Sequence, residues 1–112
     1  METPRGASVV EVRWIANPWR GDRFEQIWAP VAEAALDYGA TAFAFLRSKE
    51  DQAIFTQLAF GFETKLDWER YWLSEEVSAA RVEAAGLFQV PVYPEWQTLL
   101  GFGSRALSPL AE

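Results

Sequence analysis

The sequence predicts an α+β domain in which two helical segments are placed among four strands in the order βαββαβ. Three observations support this fold class. Four segments are rich in β-favouring residues that alternate between two faces, two segments carry apolar residues at spacings of three and four, and Gly, Pro and polar clusters separate them. The chain has 112 residues, half of them apolar, which is the size of one domain with a buried core. We predict one domain over 9–101, with tails over 1–8 and 102–112.

The first strand is predicted over 9–16. Val10, Val12 and Trp14 fall on one face, and that face is entirely apolar. The segment 17–22 combines Pro, Gly and Asn, so it predicts the loop that ends the strand.

A helix is predicted after this loop and before Gly39. Its apolar side is formed by Phe24, Ile27, Trp28, Val31, Ala34, Ala35 and Tyr38. Pro30 lies within the helix and removes one backbone hydrogen bond. We therefore expect a kink near Gln26 or a new start of the helix at Pro30.

Two strands over 41–47 and 53–62 form a predicted hairpin, joined by the polar turn 48–52. Both faces of these strands are apolar, as where Phe43 and Phe45 alternate with Ala and Leu residues. A sheet with one layer of helices needs only one apolar face, so we expect the second face to be covered as well. We predict that a second copy of the chain covers it, which makes the protein a homodimer.

The second helical segment starts at a predicted capping box formed by Thr64 and Asp67. Ser74 and the acids after it predict a restart of the helix, and Gly86 predicts its end. The last segment, 89–100, contains two Pro residues that a central strand would not tolerate, so it predicts an edge strand. This order of elements is the split βαβ pattern of ferredoxin-like domains, here predicted to pair as a dimeric α+β barrel.

The composition excludes several classes of function. The formal net charge is −6 and the basic residues are scattered, so a nucleic acid is not an expected partner. The chain contains neither Cys nor His, so we expect no metal site and no cofactor. No segment approaches the roughly 20 apolar residues of a membrane span, so we expect a cytoplasmic protein without a membrane partner. Six Trp, eight Phe and three Tyr suggest an interface or an apolar pocket.

Three features resemble the dimeric α/β barrel superfamily, and within it the antibiotic-biosynthesis-monooxygenase-like (ABM-like) proteins. They are the strand order over 9–101, the segment FETKLDWERYW over 62–72, and the proline-containing last strand. The resemblance implies a small apolar or aromatic ligand between sheet and helices. In several members it also implies oxidation of polycyclic phenols by O₂ without a cofactor. Some relatives degrade haem with a His, and no His is present here to do so.

The resemblance also implies candidate site residues. Asn17, the only Asn in the chain, lies at the predicted end of the first strand, where the family's oxygenases often hold an Asn that binds the substrate. On this reading Asn17 and Tyr71 are catalytic and hold substrate oxygens. Trp68 and Trp72 would then stack on the rings of the ligand.

Further ligand contacts are predicted from residue type and position. Tyr93, between two Pro residues, could line the mouth of a pocket. Arg13 or Arg47 could orient an anionic or phenolic ligand through paired hydrogen bonds.

Each candidate also has a purely structural interpretation. Asn17 precedes a Pro and could make an Asx turn. The aromatic residues at helical spacing could be core or dimer-interface rings. Two functions therefore stay open: a homodimer that binds a small apolar or aromatic ligand without chemistry, and a cofactor-independent monooxygenase.

Overall fold

The computed structural model describes residues 6–103 and 105. The elements along the chain are β1 (Ser8–Ile15), α1 (Gly21–Glu33), a 3-10 helix (Ala34–Tyr38), β2 (Ala42–Arg47), β3 (Ile54–Phe60), α2 (Lys65–Trp72), α3 (Glu75–Glu83) and β4 (Pro94–Thr98). The predicted α+β class and the βαββαβ order are confirmed. None of the helices in these ranges is long and apolar enough to cross a membrane.

The four strands form one antiparallel sheet in the order β2-β3-β1-β4. Strand β1 is central, because Val12 pairs with Gln57 of β3 on one side and with Pro94 of β4 on the other. Strand β4 is an edge strand, as the prolines predict, because an edge has a free side on which no backbone N–H is required. It is shorter than predicted and covers only Pro94–Thr98.

Helix α1 continues through Pro30 to Glu33 without the new start that was one of the two expectations for Pro30. Pro30 lies in the last turn of the helix, so little helix remains after the hydrogen bond that it removes. The chain then tightens into the 3-10 helix and ends at Gly39, which has a φ of 105°. This left-handed backbone conformation favours glycine.

Helices α2 and α3 begin where the sequence predicts. The backbone N–H of Asp67 donates to the Thr64 hydroxyl oxygen at 3.3 Å, and the Thr64 N–H donates to the Asp67 carboxylate at 3.2 Å, which completes the capping box. Ser74 caps α3 through one hydrogen bond, because its hydroxyl oxygen accepts from the Val77 N–H at 3.3 Å. Helix α3 ends at Glu83 rather than at Gly86, which lies in the turn that follows.

One face of the sheet, here called the covered face, packs against the helices. Its central residues are fully buried and belong to one apolar core: Val10, Val12, Trp14, Phe55 and Ala59. The opposite face, here called the open face, carries the alternate residues of the same strands. Its apolar members are Val9, Ile15, Ala42, Ala44, Leu46, Ile54, Leu58 and Phe60, and its polar members are Glu11, Arg13, Thr56, Glu95 and Gln97.

The described parts of the two predicted tails contact this sheet. Ser8, predicted to end the first tail, is the first residue of β1, and the Gly6 N–H donates to the Leu99 carbonyl at 2.7 Å. In the predicted second tail, the ring of Phe102 lies 6.3 Å from that of Phe60 on the open face. The rest of both tails, 1–5, 104 and 106–112, lies outside the described residues.

Candidate functional site

The space between the sheet and the helices is filled by aromatic side chains. The ring of Trp14 lies 4.6 Å from Trp28, 4.9 Å from Phe88 and 6.0 Å from Trp72. Trp14 and Trp28 are completely buried, because α1 covers this part of the sheet. The Trp14 indole N–H makes no hydrogen bond to any residue in the described part of the chain.

A buried chain of polar groups crosses this core. The Trp28 indole N–H donates to the Gln57 amide oxygen at 2.9 Å, and the Gln57 amide N–H donates to the Tyr71 hydroxyl at 2.8 Å. The Tyr71 hydroxyl in turn donates to the Val31 carbonyl at 2.7 Å. Both hydrogen-bonding roles of this hydroxyl are therefore occupied within the protein. Burial raises the pKa of Tyr71 above its ordinary value, because the buried site disfavours the charged phenolate.

Gln57 is a residue that the sequence reasoning missed. It is 1% exposed and is the only buried polar side chain of the described residues. The sequence feature that could have identified it is the position of one amide among the apolar residues on the covered face of β3. Such an amide needs a buried partner, because an unpaired polar group in the core is costly.

Trp68 and Trp72 stack on each other at 5.3 Å on one side of α2. Trp68 is buried, whereas Trp72 is half-buried and carries the Arg81 guanidinium 4.8 Å above its ring. Burial lowers the pKa of Arg81. Arg81 already occupies a face of Trp72, so a ligand that stacks on this face would have to displace the guanidinium.

Asn17 lies two residues after the end of β1. Its side-chain N–H donates to the Gly86 carbonyl at 2.8 Å and ties the end of β1 to the turn after α3. It also lines a cleft of about 290 Å³ together with Trp19 and Gln52. Trp19 is 97% exposed and has a φ of 60°, which is uncommon for a bulky residue.

The remaining predicted contacts lie elsewhere on the surface. Arg13 is exposed on the open face and lines a cleft of about 260 Å³ beside Pro91. Tyr93 is 71% exposed just before β4. The structure therefore brings Trp68, Tyr71 and Trp72 together in or against the core, and it leaves Asn17, Arg13 and Tyr93 apart from them.

A groove, here called the α1–β2 groove, lies between helix α1 and the edge strand β2. It has a volume of about 600 Å³ and is lined by Glu25, Ala29, Pro30, Glu33, Phe43, Phe45, Leu46, Arg47 and Phe55. The rings of Phe45 and Phe55 stack with centroids 5.6 Å apart and planes 20° from parallel. The groove thus combines an aromatic floor with charged groups.

Arg47 is held at the side of this groove by several partners. Its Nη1 donates to Asp22 at 2.8 Å and to Glu25 at 2.9 Å, and its Nε donates to the Gln52 carbonyl at 2.7 Å. The guanidinium lies 4.9 Å above the ring of Phe55. Its hydrogen bond to Asp22 raises the pKa of Arg47 above its ordinary value.

Glycine at position 21 makes this placement of Arg47 possible. A Cβ atom at Gly21 would overlap the Arg47 Nη2, so a side chain there would push the guanidinium away from the first turn of α1. Arg47 also lines the cleft beside Asn17, and it therefore separates that cleft from the α1–β2 groove. Local sequence patterns do not predict that Arg47 lies against Gly21 or beside the Asn17 cleft, because these residues are distant from Arg47 in the chain.

Comparison with known proteins finds similarity in structure and not in sequence. No family model matches the sequence, and no curated protein matches it. A Nitrosomonas europaea protein, provisionally described as an antibiotic biosynthesis monooxygenase, is 15% identical with a TM-score of 0.74, covering 89% of this chain and 96% of its own. A Caulobacter crescentus CB15 protein with the same provisional description is 14% identical with a TM-score of 0.71, covering 88% of this chain and 94% of its own.

A third similar structure is a protein of unknown function from Nitrosomonas europaea. It is 20% identical with a TM-score of 0.71, and the match covers 91% of this chain and 97% of its own. At these identities the likeness shows the fold alone. The resemblance predicted from the sequence is confirmed at that level.

Proposed function

For a chain with the ABM-like fold, we propose that the protein is a homodimer that binds a small aromatic ligand in the α1–β2 groove. The observation that carries this proposal is the groove itself. Its volume of about 600 Å³ falls within the range of roughly 300–1,000 Å³ common for small-molecule sites. Its floor of Phe side chains and its few charged groups are the usual composition of such sites.

The core offers less room for a ligand than the groove does. Trp14, Trp28 and Tyr71 are at most 1% exposed and pack against one another or against further rings. Opening a space there would break aromatic contacts and the buried hydrogen bonds of Tyr71. Phe43 and Phe45, in contrast, are only half-buried, so a ligand can cover them without such a loss.

The open face supports the proposal of a homodimer. Leu46 is 52% exposed and Ile15 is 45% exposed, and both belong to the apolar set of that face. Partly exposed apolar side chains gathered on one face of a sheet are typical of an interface. Burying about 800 Å² of each subunit would match a standard specific interface, and two sheets packed face to face would do so.

Ligand binding is tested by filling the groove. Ala29 is exposed on α1 and lines the groove, so Ala29→Trp adds an indole there without disturbing the core. The probe is 2-naphthol, titrated by isothermal calorimetry. We expect the wild type to bind it and Ala29→Trp to weaken the affinity at least about tenfold, a loss of about 1.4 kcal/mol.

The control is Ala79→Trp, the same substitution at an exposed position of α3. It should bind the probe like the wild type. Absence of binding to the wild type, or equal binding by both variants, would contradict the proposed site.

The alternative function is that of a cofactor-independent monooxygenase for a polycyclic phenol. The provisional descriptions of the structural neighbours support it. In such a reaction a dihydroxynaphthalene and O₂ yield a hydroxynaphthoquinone and water. The protein would desolvate the phenolate and hold its oxygens, as general electrostatic stabilisation requires.

Oxygen consumption distinguishes the two functions. Purified protein with 1,5-dihydroxynaphthalene in chelator-treated buffer should consume one O₂ per quinone formed if the alternative is right. Asn17→Ala should then lower the turnover rate. Tyr71 was also predicted to hold a substrate oxygen, but its hydroxyl would first have to leave Gln57 and Val31. If the protein does not raise the rate of oxygen uptake, the monooxygenase function is excluded and only the binding function remains.

A further inference from the structure

The charge around the α1–β2 groove is uneven. Among the residues that the structure describes, Glu25 and Glu33 line it, and Arg47 is the only basic residue that does so. Glu33 is exposed at the end of α1 and makes no ion pair with any residue that the structure describes. One free carboxylate therefore stands beside the aromatic floor.

Arg47 contributes little free positive charge to a ligand. Its side chain is 22% exposed and already pairs with both Asp22 and Glu25. Its Nε donates a hydrogen bond to the Gln52 carbonyl, and its guanidinium lies over the ring of Phe55. An anionic ligand would have to compete with two carboxylates for this guanidinium, and it would also meet Glu33.

Two carboxylates, those of Asp22 and Glu25, thus pair with one guanidinium, and Glu33 adds a further carboxylate to the groove lining, so the groove has an excess of negative charge. The whole chain also carries a formal charge of −6, which attracts cations over a longer range. The half-buried Phe43 and Phe45 rings offer π faces, which favour a nearby ammonium or guanidinium group. Electrostatics and aromatic contacts therefore point to the same kind of ligand.

We propose that the α1–β2 groove selects an aromatic amine in its protonated, cationic form over neutral and anionic ligands of the same shape. The proposal rests on the groove being the ligand site proposed above. The ring of the ligand covers Phe43 and Phe45, and its ammonium group lies toward Glu33. In this proposal Arg47 does not orient an anionic or phenolic ligand. It forms one side of the site, where its own partners hold it.

The test uses three probes with one shape and three charges: 1-naphthylmethylamine, 1-naphthalenemethanol and 1-naphthoate. Their affinities for the full chain are measured by isothermal calorimetry at neutral pH and low salt. We expect the amine to bind about fivefold more tightly than the alcohol, the size of effect that one partly exposed ion pair supports. The naphthoate should bind most weakly, and added salt should reduce the spread.

Glu33→Gln locates the origin of the preference. It removes one charge from an exposed side chain, so the fold is preserved and the alcohol should bind as before. The affinity for the amine should fall to nearly that for the alcohol. The matched control is Glu69→Gln, which removes the same charge from an exposed position on α2 and should keep the preference of the wild type.

The outcomes separate this inference from the function on which it rests. If all three probes bind with equal affinity and Ala29→Trp weakens all of them, the groove is the site and charge selection is refuted. If the amine is preferred but Glu33→Gln and Glu69→Gln reduce the preference equally, net charge rather than Glu33 is responsible and the inference is wrong. If none of the probes binds, the proposed ligand site fails as well.

Discussion

The two faces of the sheet carry similar numbers of apolar residues, yet the fold treats them differently. On the covered face, Trp14 and Phe55 are at most 1% exposed beneath the helices, whereas on the open face Leu46 remains 52% exposed. Successive residues of a strand point to opposite faces, so the apolar residues of both faces come from the same strands. Alternation of apolar residues therefore shows only that a face of the sheet can be buried. The position of the helices determines which of the two faces is buried within this chain.

The two faces also differ in how they hold polar groups. The covered face contains the Gln57 amide, which is buried and bonded to both Trp28 and Tyr71. On the open face, Glu11 accepts from the Gln97 side-chain N–H at 2.7 Å in contact with solvent. A lost partner should therefore cost much more on the covered face.

The largest effect is expected for Trp28→Ala on the covered side. Trp28 is completely buried, and its indole donates to Gln57. We expect the free energy of unfolding to fall by about 3–5 kcal/mol, measured by urea denaturation. Trp19→Ala is the control, because Trp19 is 97% exposed, and it should change stability by no more than about 0.5 kcal/mol. Similar losses for both variants would refute the contrast between buried and exposed tryptophans.

An intermediate effect is expected for Leu58→Lys on the open face. Leu58 is half-buried and lies opposite Glu11 in the adjacent strand, so the single subunit should accept a lysine there. In a sheet-to-sheet dimer the new charge would enter the interface and weaken association by about 2 kcal/mol, roughly thirtyfold. Sedimentation over a range of concentrations measures this. Leu66→Lys on α2 is the control, and a wild type that stays monomeric would rule out the proposed homodimer.

A smaller effect is expected for Tyr71→Phe. The variant keeps the ring but leaves the Gln57 amide and the Val31 carbonyl short of a partner, and we expect a loss of about 1.5 kcal/mol. Tyr93→Phe, at an exposed position, should leave stability unchanged.

The same variant tests the protonation state of Tyr71. Burial raises its pKa in the folded chain, so above the unfolded pKa of about 10 the unfolded state loses this proton first. The stability that depends on it is complete below about pH 10 and declines by about 1.4 kcal/mol per pH unit above it, until the folded pKa is reached. The stability difference between wild type and Tyr71→Phe should therefore shrink from about pH 9 to about pH 11. A constant difference would show that the hydroxyl titrates normally.

Much of the fold was predictable because its signals are local. The capping box joins Thr64 to Asp67 within one helical turn, and the prolines near β4 exclude a central strand whatever the rest of the chain does. The end of α1 was less predictable. Pro30 costs one hydrogen bond, but burial of Phe24, Ile27 and Trp28 by the same helix outweighs such a local preference.

The candidate site shows the limit of prediction more clearly. From the sequence, Trp68, Tyr71 and Trp72 could be either pocket or core residues. Helical spacing shows which residues share a face of the helix, but it does not show what packs against that face. The contacts that placed Tyr71 in the core join it to Val31, 40 residues away.

By itself, the sequence determined the α+β class, the order of its elements, the acidic charge and the absence of His and Cys chemistry. These properties follow from composition and from preferences that act over a few residues. Only the tertiary structure decided that Arg47 is occupied by Asp22 and Glu25, 25 and 22 residues away, and that a groove with a free Glu33 lies beside it. The physical reason is that a groove and its charge balance arise from side chains brought together by packing, and their distances are set by the sheet and helices as a whole.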